Sequence, residues 1–279
     1  MKNFICLLMI ACLSICASNV FAADKPEFTI KIGTLKIDGV KDANIENICT
    51  VFKLTERINA GGILDADSNY IVYVCYDKDK IYFACDAVDD VVISSDVAEA
   101  DYRDSDYIRF YLATKDDFEG VIKLTKTQYA FVWTPQDKDG KWNPQVREVS
   151  KTSYGGAGHP KLDGDAVAEF INSKSGAIAK GWYIEAAIGW DVLEVKNDEK
   201  ELFGRIVGIM FISGDTDKDK EGPAVQEREG EARLPSDKTA AGGYWDSPDH
   251  FRVADLEKGK FAVESTDKLA ALWGTIKTE

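Results

Sequence analysis

Apolar and polar positions are patterned most clearly in the middle of the chain. Residues 181–190 run Gly-Trp-Tyr-Ile-Glu-Ala-Ala-Ile-Gly-Trp, a strand that ends in a short helical turn at 190–193. Residues 205–215 run Arg-Ile-Val-Gly-Ile-Met-Phe-Ile-Ser-Gly-Asp, a strand too apolar to keep one face in water. Upstream, residues 70–76 and 81–88 are two β-rich runs joined by a charged four-residue turn, the best hairpin in the sequence. Residues 107–112 alternate, with Ile108, Phe110 and Leu112 on one face and Tyr107, Arg109 and Tyr111 on the other, which predicts a half-buried strand. Residues 121–124 and 128–133 read as a second hairpin in which Phe131 and Trp133 belong to the core.

Weaker runs complete the set. Residues 28–32 and 35–37 read as an opening strand pair, 50–54 as a strand, 166–171 as a returning strand and 251–256 as the closing one. Residues 135–164 and 218–243 are long, charged and nearly without pattern, and loops of that length in a compact domain usually carry function. Many short strands with almost no helix predict an all-β, two-sheet antiparallel β-sandwich, jelly-roll-like, in a single domain. Its bounds are read as 23–260, with a tail over 261–279 that forms a short amphipathic helix or an extended edge.

The first 22 residues stand apart. An apolar run over 4–17 is shorter than the 18–20 or so residues a spanning helix needs and closes in Val20-Phe21-Ala22, so residues 1–22 are read as a signal peptide. The expected location is therefore secreted or periplasmic. Lipid attachment at Cys12 is the less favoured variant, since Met9-Ile10 fit it poorly. No other run is long and apolar enough to cross a membrane.

The formal net charge is −14, from 34 basic and 48 acidic residues. Such a chain repels nucleic acid and anionic surfaces and favours a neutral oligo- or polysaccharide, or another neutral molecule, as partner. Of the six cysteines, Cys6, Cys12 and Cys16 lie in the leader, leaving Cys49, Cys75 and Cys85. That set is too sparse for a disulfide scaffold and reads as buried thiols. If Cys75 pairs opposite Tyr82, Cys85 faces the other side of the sheet, which argues against a bond between the two.

Catalytic signatures are missing. The two histidines, His159 and His250, sit in no zinc spacing, and there is no Cys-x-x-Cys, Gly-x-Ser-x-Gly, P-loop or dinucleotide fingerprint. With 48 acidic residues some carboxylate pair always looks suitable for glycoside hydrolysis, so that signal carries no weight. The expectation is a protein that is not an enzyme. Asp215, Asp217 and Asp219 alternate at a spacing Ca²⁺ can use, without the Gly and distal Glu of an EF-hand, and Asp137-Lys138-Asp139-Gly140 is a weaker candidate. Exposed aromatics on a rigid β scaffold supply the remaining chemistry: flat sugar faces stack on Trp and Tyr while hydroxyls bond to polar groups. Trp245, Tyr244, Tyr102, Trp142 and Arg109 are the candidates.

Taken in order, Ile37-Asp38-Gly39, the hairpin with Asp77 in its turn and Asp90 after it, the strand 106–112, the run 183–190, Val207-Gly208-Ile209 leading to Asp215-Thr216-Asp217, and Trp245 with Pro248 and Phe251 resemble the family 9 carbohydrate-binding modules, a branch of the DOMON-like β-sandwiches. The resemblance runs from Ile37 to about Leu256. It implies a sandwich that clamps a mono- or disaccharide end between two aromatic rings and holds structural calcium. Trp245 falls on one ring. The other belongs just before Asp106, where this chain has Tyr102, shifted by a residue. Arg109 stands where the family has an acidic sugar contact, Gly242 where it has an amide, and the aromatic after the opening Asp-Gly is missing, Ile45 being the nearest apolar residue. Two rival readings stay open: a haem-binding relative using Met210, with His250 or a Lys completing the pair, and a structural or adhesive surface domain with a protein partner and no small ligand.

Overall fold

The computed structural model describes residues 26–54, 56–57, 69–89, 91–93, 105–114, 128–137, 139–152, 171–217, 227–233 and 251–261. Residues 1–25, residues 262–279 and the expected strand at 121–124 lie outside them. The described strands are β1 (Phe28–Ile32), β2 (Thr50–Leu54), β3 (Glu56–Arg57), β4 (Asn69–Tyr76), β5 (Lys80–Val88), β6 (Tyr107–Ala113), β7 (Gln128–Thr134), β8 (Gln145–Thr152), β9 (Ile171–Ile178), β10 (Gly181–Gly189), β11 (Ile206–Asp217), β12 (Glu227–Arg233) and β13 (Arg252–Leu256). Two single-turn helices, α1 (Ile45–Ile48) and α2 (Glu199–Leu202), accompany them.

The strands form two layers. In the first, β2, β4, β5, β10 and β9 lie side by side and antiparallel. In the second the order is β8-β7-β6-β11-β13, with β12 on the far part of β11 and β3 on β12. Strand β1 joins them, pairing parallel with β13 over Phe28–Ile30 and parallel with β4 over Lys31–Ile32. The antiparallel expectation therefore holds for every described pairing except those of β1, and the two layers are one hydrogen-bonded path folded over on itself.

Alternation along each strand fills the space between the layers. Trp182, Ile184, Ala186 and Ile188 of β10 meet Ile108, Phe110 and Leu112 of β6 and Val207, Ile209 and Phe211 of β11 in one core. Aromatic rings cross it: Phe83 stacks on Phe110 at 5.6 Å, Phe110 on Phe211 at 5.1 Å, and Trp133 lies 4.9 Å from Phe83. Full burial of each such side chain stabilises the fold by roughly 1.5–3 kcal/mol. Phe131 and Trp133 are core, as their pattern implies.

The other faces are not bare. The outer side of β4, β5 and β10 carries Tyr73, Cys75, Tyr82, Ala84, Tyr183 and Ala187, and the segment 33–49 covers it with Leu35, Ile45 and Cys49. That duty explains why 35–37 does not form the expected strand. The outer side of the second sheet has its own buried cluster, Tyr107, Tyr111, Ala113, Ala130, Val132, Met210, Ile212 and Phe251. So β6 is buried on both faces rather than one, apart from the half-buried Arg109. Met210 sits in this outer cluster, while the inter-layer core is packed with rings, so Met210 is not placed to ligate a haem held between the sheets.

Three weakly patterned stretches contain strands. Gln145–Thr152 of the expected insertion is β8, pairing with β7 across a register shift between Val132 and Trp133. Glu227–Arg233 of the second charged segment is β12. The returning strand is Ile171–Ile178, beginning where the sequence reading ended it. Polar, charged composition suits the end strands β8 and β9, where it discourages pairing with other chains, and in all three stretches it erases the apolar alternation that sequence reading relies on. Among the described residues no helix is long and apolar enough to cross a membrane.

Candidate functional site

The second sheet sets two strands that follow predicted segments on either side of β11. Strands β6 and β13 both flank β11 and both run antiparallel to it. The chain therefore enters β6 beside Gly214, near the end where β11 leaves with Asp215–Asp217, and enters β13 beside Ile209, partway along β11. Strand β7 runs back along β6, with Trp133 opposite Ile108, so the β7–β8 turn lies at the end where the chain enters β6. The segments leading into β6 and β13 are the ones that carry Tyr102, and Tyr244 with Trp245.

Their inner ends are firmly held. Asp106, fully buried just before β6, exchanges hydrogen bonds with Ile93: its N–H donates to the Ile93 carbonyl at 3.0 Å, and its carboxylate accepts from the Ile93 N–H. Tyr107 lays its ring on Gly214, where any Cβ would come within 2.1 Å of the ring. The Ser213 hydroxyl donates to the Tyr107 carbonyl at 2.9 Å. Phe251, just before β13, packs on Tyr111 at 5.8 Å.

Arg109 projects from β6 between Ile212 and Val132. Its guanidinium donates to the Tyr111 hydroxyl and lies 5.3 Å from that ring's centre. A planar cation on a ring is oriented rather than loose. Tyr111 shares the face of Arg109 by simple alternation, as the sequence reading has it.

Trp142 is 37% exposed, on the β7–β8 turn. Asp137 shapes that turn: its Oδ1 accepts from the N–H groups of Asp139 at 2.9 Å and Lys141 at 3.0 Å. Those backbone donors, Lys141 first, hold its carboxyl below the usual carboxylate range. Gly140 supplies the left-handed conformation the turn needs, at φ 72°. The weaker calcium candidate at 137–140 is thus a turn whose first carboxylate is occupied by backbone. The turn is also tied to the first layer, since the Ser175 hydroxyl donates to the Pro135 carbonyl at 2.5 Å.

Asp215 and Asp217 lie on β11 itself, paired with β12 across a register shift between Asp215 and Thr216, rather than in the loop the sequence suggested. Trp245, Tyr244, Tyr102, Asp219, Gly242, His250 and Asp90 lie outside the described residues. Among the described residues no group of three or more His, Cys, Asp or Glu side chains is gathered for a metal.

A second polar centre was not assigned from sequence. Glu185, only 1% exposed on β10, accepts from the N–H groups of Asp38 and Gly39, the latter at 2.6 Å, and from the Tyr183 hydroxyl at 2.8 Å. Burial pushes its carboxyl above the usual range despite those donors. The Asp38-Gly39 turn, with Gly39 at φ 83°, is thereby latched onto the first sheet. A lone Glu in an otherwise apolar run was the available signal. Beside it Lys41 pairs with Asp86, whose carboxylate also accepts from the Tyr73 hydroxyl at 2.9 Å, and burial drives Tyr73 up to about 12. Both centres are internal ties.

No protein-family model matches the sequence, and a comparison with curated proteins returned no significant match. Solved structures do match. A family 9 carbohydrate-binding module from Caldicellulosiruptor kristjanssonii in complex with cellotriose is 16% identical, with a TM-score of 0.53 over 84% of this chain and 94% of its own. A complex of a family 9 module from the same organism with glucose gives 16% identity and a TM-score of 0.54 over 86% of this chain and 100% of its own. A candidate carbohydrate-binding protein from Bacteroides uniformis gives 11% and 0.55 over 84% and 99%. At these identities the likeness is one of fold, and this chain has the β-sandwich fold of the family 9 carbohydrate-binding modules.

Proposed function

We propose that this chain is an exported, non-catalytic carbohydrate-binding protein that holds the end of a neutral glycan at the β6–β11–β13 end of the second sheet, in polysaccharide binding or breakdown. The observation that supports the reading is that β6 and β13, which follow the segments bearing Tyr102 and Trp245 in sequence, both flank β11, with the ring-supported Arg109 on β6 and Trp142 on the β7–β8 turn. Trp245 and Tyr102 supply the stacking faces, with Tyr244 and Trp142 at the margin, and Arg109 donates to hydroxyls. Asp215, Asp217 and Asp219 offer hard oxygen donors of the kind Ca²⁺ takes and would hold it as a structural ion. A disaccharide of about two dozen heavy atoms at about 0.3 kcal/mol per atom binds with roughly 7 kcal/mol, a Kd on the order of 10 μM.

Titration with glucose and cellotriose, the ligands of the two C. kristjanssonii complexes, followed by a panel of neutral disaccharides, tests this by intrinsic Trp fluorescence. The expected result is saturable binding that Trp245→Ala weakens at least tenfold. Unchanged affinity in that variant overturns the reading. The second reading is a structural or adhesive domain without a small ligand. It is favoured by Arg109 being tied to Tyr111 at the position where an acidic sugar contact was expected.

A further inference from the structure

Cys49, Cys75 and Cys85 are all buried thiols. Cys85 lies opposite Val72 and faces the inter-layer core. Cys49 and Cys75 lie together on the other side of the same sheet, beside Ile45 of α1. The antiparallel register of β2 on β4 runs from Leu54 opposite Tyr70 to Thr50 opposite Val74. Cys49 is extended, at φ −107° and ψ 159°, and directly precedes Thr50, whose partner Val74 directly precedes Cys75. Its N–H donates to the Ile45 carbonyl at 2.8 Å rather than across the ladder. A disulfide needs Cα atoms within about 4.4–6.8 Å, a reach that neighbours packed on one sheet face can meet. The neighbouring Cys49 side chain, together with burial, pushes the Cys75 thiol up.

We propose that Cys49 and Cys75 form a disulfide when the chain folds in an oxidising environment, and that Cys85 remains a thiol. The oxidant is a disulfide donor of the oxidised-glutathione class. One protein thiolate attacks a donor sulfur, displacing a donor thiolate and leaving a mixed disulfide. The second protein thiolate then attacks the protein sulfur of that intermediate, forming the Sγ–Sγ bond and expelling the remaining donor thiolate. The two cysteines lose two protons and two electrons, and the donor leaves as two thiols. A buried thiol pushed up in this way is a poor nucleophile, so the bond forms before the sheet closes over it and is sealed afterwards.

The three cysteines fall in separate tryptic peptides, 42–53, 58–78 and 81–103, and the leader cysteines in another. The full chain is refolded from the reduced, denatured state in oxidised glutathione, alkylated under denaturing conditions, digested and analysed by mass spectrometry. The expected map joins 42–53 to 58–78 and leaves 81–103 alkylated. The bond closes a loop of about 25 residues, so the oxidised preparation should melt on the order of 10 °C above one refolded with reductant. Cys85→Ala should keep that difference and Cys49→Ala should lose it. Alkylation of both Cys49 and Cys75, a bond from either to another cysteine, or equal melting of the two preparations overturns the proposal.

Discussion

Glu185 is a carboxylate buried under a turn it holds in place, and its replacement has two separable consequences. Glu185→Ala removes the acceptor for Asp38 N–H, Gly39 N–H and the Tyr183 hydroxyl. Asp38 is exposed and its N–H turns to water. Gly39 and Tyr183 keep two donors without that acceptor, at about 1–3 kcal/mol each, so the loss should be about 2–6 kcal/mol. Glu185→Gln keeps the shape, an oxygen for the two backbone donors and an amide that can donate to Tyr183, and should cost less than about 2 kcal/mol. The second consequence is in pH. The folded carboxyl titrates above the ordinary value of 4.5 because burial disfavours its charge. Between 4.5 and that raised value the folded state keeps a proton the unfolded chain has lost, so unfolding releases it and rising pH favours unfolding. Urea denaturation followed by Trp fluorescence, wild type against Glu185→Gln from pH 4 upward, isolates this group. The stability of the wild type relative to the Gln variant should be greatest below 4.5 and fall as pH rises through the folded value. A difference that is flat, or that grows with pH, refutes the reasoning. So does an Ala variant as stable as wild type.

Other consequences follow from the packing. Phe110→Ala opens a hole between Phe83 and Phe211 and should cost about 3–5 kcal/mol, read as a lowered urea midpoint at unchanged m value. Gly181→Ala sets a Cβ within 2.0 Å of the Ala87 carbonyl at φ 128°, and should destabilise by about 2 kcal/mol or more, seen as a lower Tm. Under the calcium proposal, chelator should lower the Tm of wild type, and Asp215→Asn with Asp217→Asn should abolish that sensitivity. An equal Tm with and without chelator removes the ion from the account.

What the sequence alone determined is the part of the fold that is buried on at least one face. The hairpin of β4 and β5, strands β6, β7, β10 and β13, the core role of Phe131 and Trp133 and the opposite facing of Cys75 and Cys85 all follow from alternation, because burial imposes period two. The apolar length of β11 likewise announced that neither face is wet. Strands β8 and β12 were not legible, since their polar, charged sequences carry no clean apolar alternation. Only the tertiary structure decided that β1 pairs parallel with both layers, because a five-residue strand records its composition and not its partners. The same holds for Glu185: its charge was visible, but the two N–H groups that justify burying it come from a turn roughly 146 residues away. The candidate site is divided in the same way. Trp245, Tyr102 and Arg109 could be named from residue type and order, whereas the flanking of β11 by β6 and β13, both antiparallel to it, is a consequence of pairing between distant strands.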